Sequence, residues 1–136
     1  MSEKIKFDFK KVIDYWKEGA ENNYQTAKFL YKGKRYSDCL FFCHLMLEKI
    51  LKGLVVANIK THAPHTHKLV DLAKRAEIKL TKNQIDYLTE ITEFNIAGRY
   101  DNIKQEFYKK CAKKYTEKYF KICEELYLWL RKKLCL

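Results

Sequence analysis

One proline and four glycines in 136 residues leave little material for tight turns, and a many-stranded fold needs such turns at every reversal. No apolar stretch of about 18 residues runs free of charge, as a membrane span would. The most apolar segment, residues 36–58, is interrupted by Glu48, Lys49 and Lys52. The opening MSEKIKFDFKK has no apolar signal segment, so a cytoplasmic location is expected. Cysteines at two-residue spacing are absent. Cys39, Cys43, Cys111, Cys123 and Cys135 are odd in number and fall at helix-like positions, which reads as small buried hydrophobes in a reducing compartment. A glycine-rich phosphate loop is also missing, so any nucleotide would have to be held by side-chain charge.

What is present is helical material. Hydrophobic residues make up 47% of the chain and aromatics 15%, enough for the core of a single domain spanning residues 1–136. Ile13, Trp16, Ala20, Tyr24, Ala27 and Leu30 recur at three- and four-residue steps and predict a first helix over 12–31. Gly33 is placed for a left-handed cap, and the short connection makes the next helix an antiparallel neighbour. Pro64 breaks helical bonding in the stretch 59–67, after which Thr66 is expected to cap a short helix over 67–76. Thr81 and Gln84 form a capping-box pair ahead of the inward stripe Ile85, Leu88, Ile91 and Phe94, with an end near 95–98. A loop over 98–102 then precedes a last helix over 106–133, whose inward stripe is Tyr108, Cys111, Tyr115, Tyr119, Ile122, Leu126 and Trp129. The expected architecture is all-α: an up-and-down four-helix bundle with an additional short helix.

The charge is +11, from 28 Lys and Arg against 17 acids. Such a balance fits nucleic acid, nucleotide or acidic protein partners, but the basic residues are spread along the chain. The lysines of the last helix read as a solvated outer face, compatible with weak, salt-dependent, nonspecific RNA binding.

The second helix carries the most information. It is apolar on nearly every side and therefore buried, so its few polar groups need partners. His44, Glu48 and Lys52 follow at four-residue steps within one quarter-turn, beside Phe41 and Leu45. A narrow polar stripe among large apolar side chains suits a subunit contact or a small polar site. Phe41, His44 and Leu45 are the candidate dimer seam.

Three segments in order, CLFFCHLMLEKILKGLV, HTHKLVDLA and GRYDN, resemble HEPN domains, small helical-bundle proteins, over nearly the whole chain. The resemblance implies an intracellular homodimer, often encoded beside a minimal nucleotidyltransferase in toxin–antitoxin type pairs. It also implies one of two activities: metal-independent RNA cleavage, or binding of a nucleotide or partner protein. The cleaving branch uses an Arg followed after four to six residues by a His. This chain has no histidine after His67, and Lys104, Gln105 and Glu106 occupy the window after Arg99. Without an imidazole there, the acid–base partner near neutral pH is missing.

Each candidate has a structural reading beside its functional one. Glu48 and Lys52 form an i,i+4 pair and Lys49 runs outward, or the lysines meet a phosphate or a partner carboxylate. His67 closes a helix start with its ring bonded across the bundle to Glu48, or it joins His62, His65 and His44 around a metal; the loop fixes too little for that, and neither metal nor cofactor is expected. Arg99 and Tyr100 pack on a helix end, or they present a phosphate fork and a stacking face. The sequence favours a non-catalytic binding module: a homodimer that engages a nucleotidyltransferase-like partner or a nucleotide through Glu48, Lys49, Lys52, His67, Arg99 and Tyr100. A divergent ribonuclease toxin using His44 or His67 is the alternative, and a metal-binding bundle ranks third.

Overall fold

A computed structural model describes residues 8–95 and 101–134. Arg99, Tyr100 and Cys135 lie outside the described residues. Among the described residues the fold is six α-helices with no strand: α1 (Phe9–Lys32), α2 (Tyr36–Ile59), α3 (Leu69–Arg75), α4 (Lys82–Thr92), α5 (Asp101–Lys110) and α6 (Lys113–Leu134). The all-α bundle is as expected; its last part is not. The single helix anticipated over 106–133 is two, joined at Cys111 and Ala112, and Asp101 and Asn102, expected in a loop, already belong to α5. That break changes the helical phase. Phe107, not Tyr108, turns inward, its ring 5.7 Å from Phe94, while Tyr108 is exposed.

α2 is the axis of the molecule. It packs against α1, α6, α3 and α4, and Leu40, Cys43, Met46, Leu47, Ile50, Leu51 and Leu54 are wholly buried along it. A helix surrounded in this way has no broad polar face to offer water, which is why its sequence is apolar on nearly every side. Two glycines bring α1 close: a Cβ on Gly53 would lie 3.2 Å from the Trp16 Cβ, and one on Gly19 would lie 3.0 Å from the Lys49 Cδ.

The helix ends depart from expectation in instructive ways. Gly33 has φ −80°, and the left-handed residue closing α1 is Lys34 at φ 61°. The Arg35 N–H donates to the Leu30 carbonyl and the Lys34 N–H to that of Tyr31, which is the Schellman arrangement. Thr66 is not the cap of α3. Its hydroxyl oxygen accepts from the Lys68 N–H, while the Leu69 N–H is satisfied by the Thr92 hydroxyl of α4. The Thr81–Gln84 capping box is formed in both directions. Ile85, expected to face inward, is 36% exposed.

Candidate functional site

Glu48, 7% exposed, stands at the centre of a polar cluster between α2 and the segment leading into α3. Its Oε2 accepts from the Lys52 Nζ at 2.9 Å and its Oε1 faces the His67 Nδ1 at 3.0 Å. A carboxylate only accepts, so His67 carries its proton on Nδ1. The ring is otherwise open to solvent, its side chain 65% exposed.

His44, fully buried, ties down the same segment by its backbone. Its Nε2 lies 3.1 Å from the His67 carbonyl oxygen and must therefore hold the proton. Nδ1 is left as a bare acceptor, 3.8 Å from the Glu48 Oε1 and without a hydrogen-bond partner. Two bonds of opposite sense thus hold one residue: α2 accepts from the His67 ring and donates to its carbonyl.

The electrostatics follow from this geometry. Burial pushes the Glu48 pKa upward, but the bonds from Lys52 and His67 and the Lys52 charge outweigh it, so the carboxyl is held below its ordinary value. For His44 burial wins: the imidazole pKa is lowered despite the carbonyl and the nearby carboxylate. The cluster is a Glu48–Lys52 ion pair set beside the buried His44 ring.

The structure unites Glu48, Lys52, His67 and His44, as the sequence stripe and the Thr66–His67 segment lead one to expect. It places His44 inside the subunit, so the candidate seam reduces to Phe41 and Leu45, both half-buried on the outer side of α2. Lys49 is separate from the cluster, its stem crossing α1 at Gly19. Periodicity marks Trp16 only as a core position, yet the Lys52 ammonium sits 5.4 Å from its ring centre. The small residues Gly19 and Gly53 are the signal for that close approach. His62 and His65 are both exposed to solvent, and no group of three His, Cys, Asp or Glu among the described residues is arranged to hold a metal ion. Cys39, Cys43, Cys111 and Cys123 are buried free thiols, and burial pushes Cys111 up to about 12, which makes that thiol a poor nucleophile.

Two further carboxylates organise the packing away from this cluster. Glu21 accepts from the Tyr127 hydroxyl at 2.7 Å and from Arg131 at 3.0 Å, joining α1 to α6. Glu90 accepts from Lys110 at 2.8 Å and from the Tyr115 hydroxyl, joining α4 to α5 and α6. A groove of about 660 Å³ between α3 and α4 is lined by both signs of charge, including Lys68, Lys74, Glu90 and Glu93.

No helix among the described residues is long and apolar enough to cross a membrane. Comparison with curated proteins finds no match. Among solved structures, the crystal structure of TT1696 from Thermus thermophilus is similar in fold, with a TM-score of 0.74 at 17% identity over 90% of this chain and 98% of that one. The profile of the HEPN domain matches residues 13–133, and the chain therefore belongs to the HEPN domain family.

Proposed function

We propose that this HEPN domain is a non-catalytic binding module that forms a homodimer and engages a nucleotidyltransferase-like partner or a nucleotide, within a toxin–antitoxin type pair. The observation that carries this reading is where the arginines are. Among the described residues Arg75 pairs with Asp71 and Arg131 with Glu21, and Arg35 lies 3.6 Å from Asp38, so each guanidinium already faces a carboxylate. RNA cleavage through the sugar hydroxyl needs both groups on the same phosphate. His44 is enclosed and bonded to a carbonyl, which removes it from contact with any substrate. Lys49 and Lys52 of α2, His67, and the Arg99–Tyr100 pair of the sequence supply charge and an aromatic face for a phosphate-bearing ligand or an acidic partner surface.

One observation favours the alternative of a divergent ribonuclease. Glu48 accepts from the His67 Nδ1–H while the ring stays 65% exposed, the way a carboxylate orients a general base. The two readings separate in one assay. Purified protein incubated with RNA is expected to leave it intact, and Arg99→Ala to change nothing; cleavage that disappears in both Arg99→Ala and His67→Ala establishes the ribonuclease instead. Calorimetric titration with ATP is expected to show weak saturable binding that Arg99→Ala reduces, and the absence of binding to the wild type removes the nucleotide arm of the proposal.

A further inference from the structure

The outward stripe of α2 has an internal symmetry. Asp38, Phe42, Leu45 and Lys49 are all half-buried and follow at steps of four, three and four, so they share one face of the helix over about 16 Å. That spacing reads the same from either end. Its middle is apolar, and its ends carry opposite charges. Laid antiparallel on itself about a two-fold axis midway between Phe42 and Leu45, the stripe places Phe42 of one copy on Leu45 of the other and Asp38 opposite Lys49, twice over. Antiparallel helices with apolar residues at alternating three and four spacing pack in this manner, and end charges fix their direction.

The surroundings fit that arrangement. Phe42 is held edge-on by Phe41, ring centres 5.6 Å apart, so its ring needs little further ordering. Lys49 makes no ion pair with a described carboxylate, and its stem is braced where Gly19 lacks a side chain. Asp38 has only a loose, exposed contact with Arg35 at 3.6 Å. Gly19 marks the side of α1 that borders the stripe, and Tyr15, Asn22, Thr26 and Phe29 share that side at the same spacing. Tyr15 is 67% exposed and Phe29 76%, large rings that extend the apolar area beyond α2 toward what a stable interface needs.

We propose that this face is occupied by a second copy of the chain, with α2 packed antiparallel on its counterpart in the register Asp38 to Lys49 and Phe42 to Leu45. The inference rests on the homodimer reading above and adds its geometry. Sedimentation equilibrium of the full chain at low salt tests it. Asp38→Lys and Lys49→Asp are each expected to raise the dimer dissociation constant about tenfold or more, because each puts two like-charge contacts into the interface. The combined variant, which swaps the charges within one chain, is expected to restore association to near the wild-type value. Circular dichroism verifies that each variant is folded, and the combined variant separates a helix defect from a pairing defect. A dimer unaffected by either single reversal overturns the register and leaves the homodimer standing. Single reversals that weaken association without rescue also overturn it, and a wild type that stays monomeric at every concentration removes both.

Discussion

Glu48 decides the chemistry of both histidines beside it. Because it is ionised and can only accept, it fixes the His67 proton on Nδ1, and because the His67 carbonyl demands a donor, His44 keeps its proton on Nε2. His44 is buried with its other nitrogen unpartnered, and burial holds its pKa below the ordinary value of 6.5. The sign of the consequence is definite. As pH falls through about 6.5 the unfolded chain takes up a proton that the folded ring resists, so stability declines from that point down to the folded pKa. The carboxylates with lowered values, Glu21, Glu48 and Glu90, act in a separate window that opens only near 4.5. Urea midpoints measured at about pH 7.5 and about pH 5.5, on either side of the ordinary imidazole value, are expected to drop in the wild type. They are expected to drop less in His44→Gln, whose amide can still donate to the His67 carbonyl but cannot titrate. An equal drop in both proteins shows that His44 is not the group responsible.

The elements show which patterns sequence reveals and which it hides. α2 is legible almost to the residue, 36–58 expected against Tyr36–Ile59 found, because burial over most of its circumference leaves an unmistakable apolar run. The Glu48–Lys52 pair and the bond to His67 are legible as well, since four-residue spacing and a polar residue in an apolar helix both demand partners. Three features are not. The break at Cys111–Ala112 has no proline or glycine to announce it. The cap of α3 comes from Thr92, 23 residues away, so no local pattern could supply it. The third is the choice of lysine and glutamate at helix ends, where Lys34, Lys60 and Glu77 all take φ near 60°, a conformation in which glycine is the ordinary occupant. A side chain there costs about 1 to 2 kcal/mol, partly offset by the greater freedom glycine has when unfolded. Lys34→Gly is therefore expected to stabilise the protein by about 0.5 to 1 kcal/mol in denaturant titration, with the Schellman bonds of Arg35 and Lys34 retained. A loss of stability means that the lysine side chain makes a compensating contact in solution.

At the scale of the whole molecule the dominant fact is a charge of +11 on 16.4 kDa. Like charges at that density repel across the surface, and folding draws them together. Local ion pairs such as Lys10–Asp14 and Arg75–Asp71 oppose this, but they are exposed and contribute about 0 to 1 kcal/mol each. Salt weakens both effects, so its net influence on stability reveals which is larger. Raising ionic strength from about 0.01 M to about 0.15 M shortens the screening length from about 30 Å to about 8 Å. Repulsion between distant lysines is largely removed by that change, whereas pairs in contact at about 3 Å keep part of their attraction. The melting temperature is therefore expected to rise by a few degrees, about 2 to 8 °C for each kcal/mol regained in a chain of this size. Chloride serves as the screening anion, and protein concentration is held fixed so that association contributes equally at both salts. A fall on adding salt means that local pairing, including any Asp38–Lys49 contact between copies, outweighs the self-repulsion of the lysine-rich surface. The concentration dependence of that fall separates contacts within one chain from those between two.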